Sequence, residues 1–406
     1  MPKTKNIIII GINFYPEDTA IGLYTTQMAQ YLVDKGHQVN IITGFPYYPQ
    51  WKIKEEYRSK PKFYIEEFGK IRIFRYKQFV PNSPSFRNRV FHILDFTFGS
   101  LYNCFKINKA DLVIAIVPFT SSVLLGWILK KRTKAKLWVH IQDFEFDAAF
   151  ETGLTRDIFY KNILFKFLFR FEKWLFSRAD IASSISFTML EKLKSKVGVS
   201  TEIKYLPNWV EVEKEKTKVV RKHPYLSSDK FKILYSGNIG DKQDWKLFLN
   251  FAKALDGRFY EIIVVGNGSM KTQLVNDTES LGFVHHYEPV PYEELGVLLR
   301  SADLHILFQK ESVKDTVMPS KLLGMMRSGV PSLVTGNPDS EVRRIIEESS
   351  GGYYLYNHDL DALVRLVDDI FHKKEEQVIV GLNGKKYVEN NFSKQKILDK
   401  AFERLD

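Results

Sequence analysis

The sequence predicts an α/β protein built from two Rossmann-like, doubly wound domains. Three observations carry that prediction. Short apolar runs alternate with helix-length amphipathic stretches over residues 1–208. The same plan recurs over residues 209–384. Between them lies LPNWVEVEKEK, where Pro207 and Asn208 interrupt the pattern and a charged linker follows. A length of 406 residues suits two such domains better than one core. The last stretch, 385–406, is expected to be a helix packing back toward the first domain.

In order, Ile7 to Phe14 reads as a buried strand and Ile21 to Lys35 as a helix closed by Gly36. Val39 to Thr43 is a second strand. A basic, aromatic insert follows, with a strand at Ile71 to Tyr76 and a helix over Phe86 to Phe105. Asp111 to Val117 and Lys136 to Ile141 are further strands. The second half offers strands in FKILYSGN, YEIIVVGNG, FVHHY, DLHILF and PSLVTG. Its helices fall at about Trp245 to Leu255, Lys271 to Leu281, Tyr292 to Ser301 and Ser320 to Ser328. Two such domains facing one another would place a cleft at the carboxyl ends of both sheets, where open α/β sheets take ligands.

Composition narrows the class. Apolar content of 44% and charged content of 26% are those of a globular protein, which excludes disorder as the main theme. One cysteine, Cys104, excludes a disulfide scaffold and fits a reducing, cytoplasmic setting. The run Ile7 to Ile10 is too short for a signal-peptide core. The uncharged stretch Leu112 to Leu129 is broken by Pro118, Thr120, Ser121 and Ser122 and reads as strand, turn and helix rather than a membrane span. Residues 1–208 hold 31 Lys+Arg against 18 Asp+Glu, a balance of +13; the remainder hold 28 against 30, a balance of −2. Such asymmetry points the first domain at an anionic partner. No nucleic-acid recognition motif is visible, and the basic residues sit among large apolar side chains, so a membrane surface is the expected partner rather than nucleic acid.

Five segments carry chemistry. In YPEDTAIGLY, Gly22 stands where a helix begins, and bare amides there can meet an anion. In YSGNIGDKQ, Gly237 permits a tight turn after a strand, and Lys242 adds a cation near the next helix; together they suit a diphosphate. VVGNGSM places Gly266 and Gly268 between a strand and a helix, where a nucleotide can approach closely. In DTVMPSKLLGMMRSGVP a helix begins at Pro319 or Ser320, with Ser320 as its cap. Lys321 then sits in the first turn, where its charge opposes the helix dipole unless an anion lies nearby. HIQDFEFDAAFETG gathers His140, Asp143, Glu145, Asp147 and Glu151 after a strand. Its spacing matches no metal site. Asp143, directly after the strand, is the candidate base or charge stabiliser. Glu145 and Asp147 read better as acids opposing a helix dipole.

At these segments the chain resembles the GT-B glycosyltransferases of family GT4, over essentially its whole length. The segments YPEDTAIGLYTTQMAQYLVDKGHQVNIITGFPYYP, HIQDFEFDAAFETG, SGNIGDKQ, VVGNG, SADLHIL and MPSKLLGMMRSGVP stand in the order shown by transferases of bacterial surface polysaccharides. These are related to colanic-acid and O-antigen fucosyl or N-acetylfucosaminyl transferases. The resemblance implies a nucleotide-sugar donor, UDP-linked rather than GDP-linked, as substrate, with no cofactor and no metal. It implies that Gly22, Gly237 and Asn238 lie at the donor phosphates, with Lys242 on the diphosphate and Gly266 and Gly268 near base and ribose. Asp315, Thr316, Met318, Pro319, Ser320 and Lys321 would hold the sugar and phosphates. The catalytic set it implies, with the reading above, is Asp143, Lys242 and Lys321, acting with retention of configuration. The chain departs from the family in three respects. Many members carry two glutamates with seven residues between them around the last motif, and here Thr316 and Gly324 stand at those positions. Asn238 replaces a common arginine, and Gln142 a common histidine.

The stretch DIFYKNILFKFLFRFEKWLFSR, residues 157–178, sets Asn162, Lys166, Arg170 and Lys173 on one narrow arc of a helix rich in Phe, Leu and Trp174. It reads as an in-plane membrane helix, with Phe86 to Lys109 a second aromatic and basic stretch. The expected activity is transfer of a sugar, L-FucNAc or another deoxyhexose, to a polyprenyl-diphosphate-linked saccharide at the inner face of the cytoplasmic membrane. The competing readings are a non-hydrolysing UDP-sugar epimerase on the same fold and a non-catalytic membrane-associated assembly protein.

Overall fold

The computed structural model describes residues 4–17, 20–82, 85–146, 158–212, 222–313, 320–356 and 359–403. The chain forms two compact units, Met1–Pro207 with Leu398–Asp406, and Asn208–Ile397. It returns to the first unit at Leu398, later than the 385 expected.

The first unit runs β1 (Asn6–Ile10), α1 (Ala20–Asp34), β2 (Gln38–Gly44), α2 (Glu55–Arg58), β3 (Phe63–Phe68) and β4 (Ile71–Tyr76). It continues α3 (Phe86–Phe105), β5 (Leu112–Val117), α4 (Thr120–Thr133), β6 (Lys136–Ile141) and α5 (Ile158–Phe176). Then come β7 (Ile181–Ser184), α6 (Phe187–Lys194) and β8 (Glu202–Tyr205). Its sheet has the order β3-β4-β2-β1-β5-β6-β7-β8. Every pairing is parallel except that of the edge strand β3 with β4. The centre is apolar because helices cover both faces: Ile7 to Ile10 and all of β5 are buried. Right-handed crossovers put α1 on one face and α3, α4 and α5 on the other. On that second face α4 packs between α3 and α5.

The second unit runs β9 (Phe231–Ser236), α7 (Trp245–Ala254), β10 (Tyr260–Val265), α8 (Lys271–Thr278), β11 (Val284–Tyr287) and α9 (Tyr292–Arg300). It continues β12 (Leu304–Phe308), α10 (Ser320–Arg327), β13 (Ser332–Thr335), α11 (Glu341–Ser349) and β14 (Gly352–Leu355). The helices α12 (Leu360–His372), α13 (Lys374–Asn391) and α14 (Lys394–Phe402) close the chain. All pairings are parallel, in the order β11-β10-β9-β12-β13-β14. Counted within this unit that is 3-2-1-4-5-6, the doubly wound order, with its reversal between β9 and β12.

The alternation read from the sequence is present in both halves. The first strand stops at Ile10 instead of Phe14, before the loop that leads to α1. Four strands went unread: β3, β7, β8 and β14. Three of them are four-residue strands, IASS, EIKY and GYYL, and β3 (FYIEEF) carries two glutamates on an exposed edge. Among the described residues no helix is long and apolar enough to cross a membrane.

Candidate active site

In the second unit β9 and β12 flank the reversal, so the loops leaving them meet at the carboxyl edge of the sheet. Backbone bonds tie them together: Asp244 N donates to Phe308 O at 2.9 Å and Lys310 N to Lys242 O at 3.2 Å.

The glycines of the two predicted turns prove to be one structure. Gly237 has φ +142°, a region that L side chains rarely adopt, and donates to Val265 O at 2.9 Å. A Cβ on Gly266 would stand 1.9 Å from Gly237 O, and one on Gly268 2.3 Å from Ile239 O. The loop after β9 therefore lies directly on the loop after β10. Ile239 N bonds Asn267 O at 2.9 Å and Met270 N bonds Ile239 O at 3.0 Å. The Asn238 side chain lies across the seam, with Oδ1 2.7 Å from where a Gly268 Cβ would be.

Lys321, second residue of α10, completes this arrangement. A Cβ on Gly237 would meet its Cε at 2.3 Å. Its Nζ donates to Tyr235 Oη at 2.8 Å and to Asn238 O at 3.2 Å. Tyr235 Oη donates in turn to Asn238 O at 2.6 Å. Among the described residues both partners of the ammonium are neutral oxygens, and an ammonium has three N–H groups to place. Burial pushes the Lys321 pKa down to about 8. A half-buried cation at the positive end of a helix, against bare glycine backbone, is stabilised by an anion and by little else.

The other second-unit candidates divide. Lys242 is exposed, and what the structure ties down is its carbonyl. Its neighbour Asp241 pairs with Lys310 at 2.8 Å. The sequence placed Lys242 beside Lys321 in the catalytic set; the described contacts bring Gly237, Asn238 and Tyr235 to Lys321, and not Lys242. Ser320 opens α10. Asp315, Thr316, Met318 and Pro319 lie outside the described residues.

In the first unit Gly22 is buried in the first turn of α1, and a Cβ there would stand 2.9 Å from Glu17 Cβ and 3.0 Å from Glu17 O. Its smallness thus admits Glu17, which the sequence reading passed over. Glu17 Oε1 accepts from Tyr47 N and Tyr48 N, both at 2.8 Å, and Oε2 from Asn13 Nδ2 at 2.8 Å. Burial raises its pKa although these bonds oppose the rise. One carboxylate so ties the loop after β1 to the loop after β2.

Asp143 is half-buried just after β6. His140, on the strand itself, is a core residue. Its Nδ1 lies 2.9 Å from Ser183 Oγ, which also accepts from Trp138 Nε1 at 2.7 Å. Burial drives the His140 pKa down to about 3, so it stays neutral. Glu145 Oε2 accepts from Thr120 N at 2.8 Å, so this acid caps the start of α4, a helix 25 residues earlier in the chain than the one the sequence reading gave it. Burial pushes its pKa up to about 7, with the charges of Glu172 and Asp143 adding to the rise. A carboxyl poised near neutrality beside Asp143 is a candidate that the sequence did not single out. Asp147 and Glu151 lie outside the described residues.

Comparison with known proteins identifies the family and the fold. Residues 19–209 match the family model described as glycosyl transferase 4-like domain, and residues 217–387 the model of glycosyl transferases group 1. A curated relative named for colanic acid biosynthesis, the glycosyl transferase WcaI of Escherichia coli (strain K12), is 30% identical over 355 residues, 85% of this chain and 86% of its own. Among solved structures, sucrose-phosphate synthase from Thermosynechococcus elongatus superposes with a TM-score of 0.74 at 15% identity, over 98% of each chain. Anabaena HepE, solved in complex with UDP-glucose, does so with a TM-score of 0.66 at 13% identity, over 99% of each. With two parallel-sheet domains of GT-B form and both halves matched in order, the chain belongs to the GT4 family of glycosyltransferases.

Proposed function

We propose that this glycosyltransferase moves a deoxyhexose such as L-FucNAc from a UDP-linked donor to a polyprenyl-diphosphate-linked saccharide, in synthesis of a bacterial surface polysaccharide. The observation that carries the donor half is Lys321, held against Gly237 with only neutral oxygens as partners among the described residues. The donor diphosphate lies over the seam of the two glycine loops. Lys321 and the first turn of α10 stabilise the negative charge that builds on the leaving UDP as the glycosidic bond breaks. No metal is needed for that step, because the cation is already in place. Asn238 borders the same seam and contacts the phosphates; Gly266 and Gly268 let the two loops close on each other, and base and ribose lie beside that seam. The segment from Asp315 to Pro319, directly ahead of α10, holds the sugar. In the first unit, Asp143 with its near-neutral neighbour Glu145 stabilises charge on the oxocarbenium-like sugar, and configuration is retained. The enzyme works at the inner face of the cytoplasmic membrane, where the lipid-linked acceptor lies. The exposed Lys166, Arg170 and Lys173 on α5 favour that setting.

Incubation with a panel of UDP- and GDP-sugars and a lipid-linked acceptor, read with a thermal-shift screen of the same donors, tests the proposal. A UDP-sugar should raise the melting temperature and be consumed with acceptor present. A protein that neither binds nor turns over any UDP-sugar would sink it.

A further inference from the structure

The helix α3 turns a row of large apolar side chains outward. Its exposed residues include Phe91 (55% exposed), Leu94 (48%), Phe98 (70%), Tyr102 (52%) and Phe105 (55%). At 100° per residue these five fall within an arc of about 80°, so they form one stripe down a 20-residue helix about 30 Å long. The face turned to the protein is mixed: His92, Thr97, Ser100 and Asn103 are buried there beside Phe96 and Cys104. Gly99 is buried with them, its bare backbone accepting the Tyr76 ring, which a Cβ would meet at 2.1 Å. The sequence marked α5 as the membrane element and Phe86 to Lys109 as a second stretch; among the described side chains of α5, Phe165, Leu175 and Phe176 are buried, while Phe167 and Trp174 remain outside. A contiguous aromatic stripe facing water marks an interaction surface.

We propose that the outer face of α3 is the docking surface of the first unit and lies in the interfacial plane of an anionic bilayer, Phe91, Leu94, Phe98, Tyr102 and Phe105 entering the acyl boundary. This rests on the reading of a membrane-lipid acceptor and says which element carries the contact.

Charge identifies the occupant. Arg87 is exposed and lies in the same arc, one turn ahead of Phe91. At the other end the Lys106 ammonium sits over the Tyr102 ring at 4.5 Å and the Arg132 guanidinium over the Phe105 ring at 4.8 Å. Across α4, the helix α5 adds exposed Lys166, Arg170 and Lys173, and Arg178 over the Trp174 ring at 5.0 Å. On α3 the sole acid is Asp95, and it is turned to Tyr76 Oη and Phe79 N. An apolar stripe rimmed by cations matches acyl chains beneath anionic headgroups. A second copy of this chain would set the same positive rim against itself, which disfavours a symmetric dimer through this face.

The test is co-sedimentation with vesicles of phosphatidylglycerol and phosphatidylcholine, using the full chain. The triple substitution Phe91→Ser, Phe98→Ser, Phe105→Ser should lower partitioning at least tenfold and leave the melting temperature unchanged, since these side chains are exposed. A matched control, Val378→Ser, Ile379→Ser, Leu382→Ser, removes an equally exposed apolar patch on α13 in the second unit and should change nothing. A fluorophore gives a second readout: Phe98→Cys can be labelled selectively, because Cys104 is buried and burial pushes its thiol up to about 12. An environment-sensitive dye there should shift to the blue on vesicles. Partitioning of the α3 variant equal to wild type, a silent dye, or a wild-type dimer that the α3 variant abolishes would each overturn the proposal. Failure of the acceptor reading looks different: vesicle binding would still depend on α3, while no lipid-linked saccharide is extended.

Discussion

Residues 1–208 carry a formal charge of +13 and residues 209–406 carry −2, yet the glycine loops and Lys321 are in the second group. The two units treat anions differently. In the first, cations are many, exposed and spread around an apolar stripe, so their field is long-ranged and screened by salt. In the second, one half-buried ammonium stands against glycine backbone at the start of a helix, where its interaction is short-ranged and little screened. Net charge therefore finds a surface and misses a site.

The largest effect expected from breaking this contrast is at Lys321. Lys321→Met keeps the packing against Gly237 and removes the charge. It should lower kcat/KM by about 100- to 1000-fold, the cost of losing a donor aimed at developing negative charge. Steady-state kinetics with the donor found in the screen would check it; a loss under threefold would contradict the assignment. By contrast, Lys242→Met should cost less than about fivefold, as expected of an exposed cation with little desolvation to strengthen it.

Next comes the seam itself. Gly266→Ala puts a Cβ 1.9 Å from Gly237 O, so backbone must move. Overpacking of this kind costs about 1–3 kcal/mol, read as a lower denaturant midpoint, and donor affinity should fall with it. Gly282→Ala, where a Cβ meets nothing within 4 Å, is the control and should be near neutral.

A pH series sharpens the same point at about tenfold. With its pKa pushed down to about 8, Lys321 is charged below that value and loses its proton above it. An anionic donor binds the charged form, so affinity is full near pH 7 and falls by about tenfold by pH 9. The inflection should vanish in Lys321→Met. The smallest effect expected is of salt on the second unit. Raising NaCl from about 50 to about 300 mM should change donor affinity by less than about threefold while sharply reducing vesicle binding, because the Debye length shortens past the spacing of exposed charges.

Much of this was legible in the sequence, for reasons that differ by residue. Buried parallel strands such as Leu112–Val117 announce themselves as continuous apolar runs, and glycines after strands announce turns. Lys321 was legible because a lysine in a first helical turn contradicts the dipole. Its partner Tyr235 was not, since a tyrosine ending a strand reads as core, and only the fold brings it 86 residues along the chain to Lys321. Glu17 escaped, and Glu145 was read only as a helix-start acid, because their pKa shifts come from burial, which no spacing reports. Helix α3 shows a further limit. The sequence marked it as aromatic and basic, but composition does not say which aromatic residues face out; the burial of Phe96 and the packing of Gly99 on Tyr76 do.

The most direct measurement is the ionisation of Lys321 with and without UDP, followed by NMR of the reductively ¹³C-methylated protein and assigned with Lys321→Met. A diphosphate at the seam predicts one lysine titrating near 8 in the free protein and rising toward the ordinary lysine range when UDP is bound. A Lys321 resonance that titrates at the same pH in free and UDP-saturated protein would contradict it.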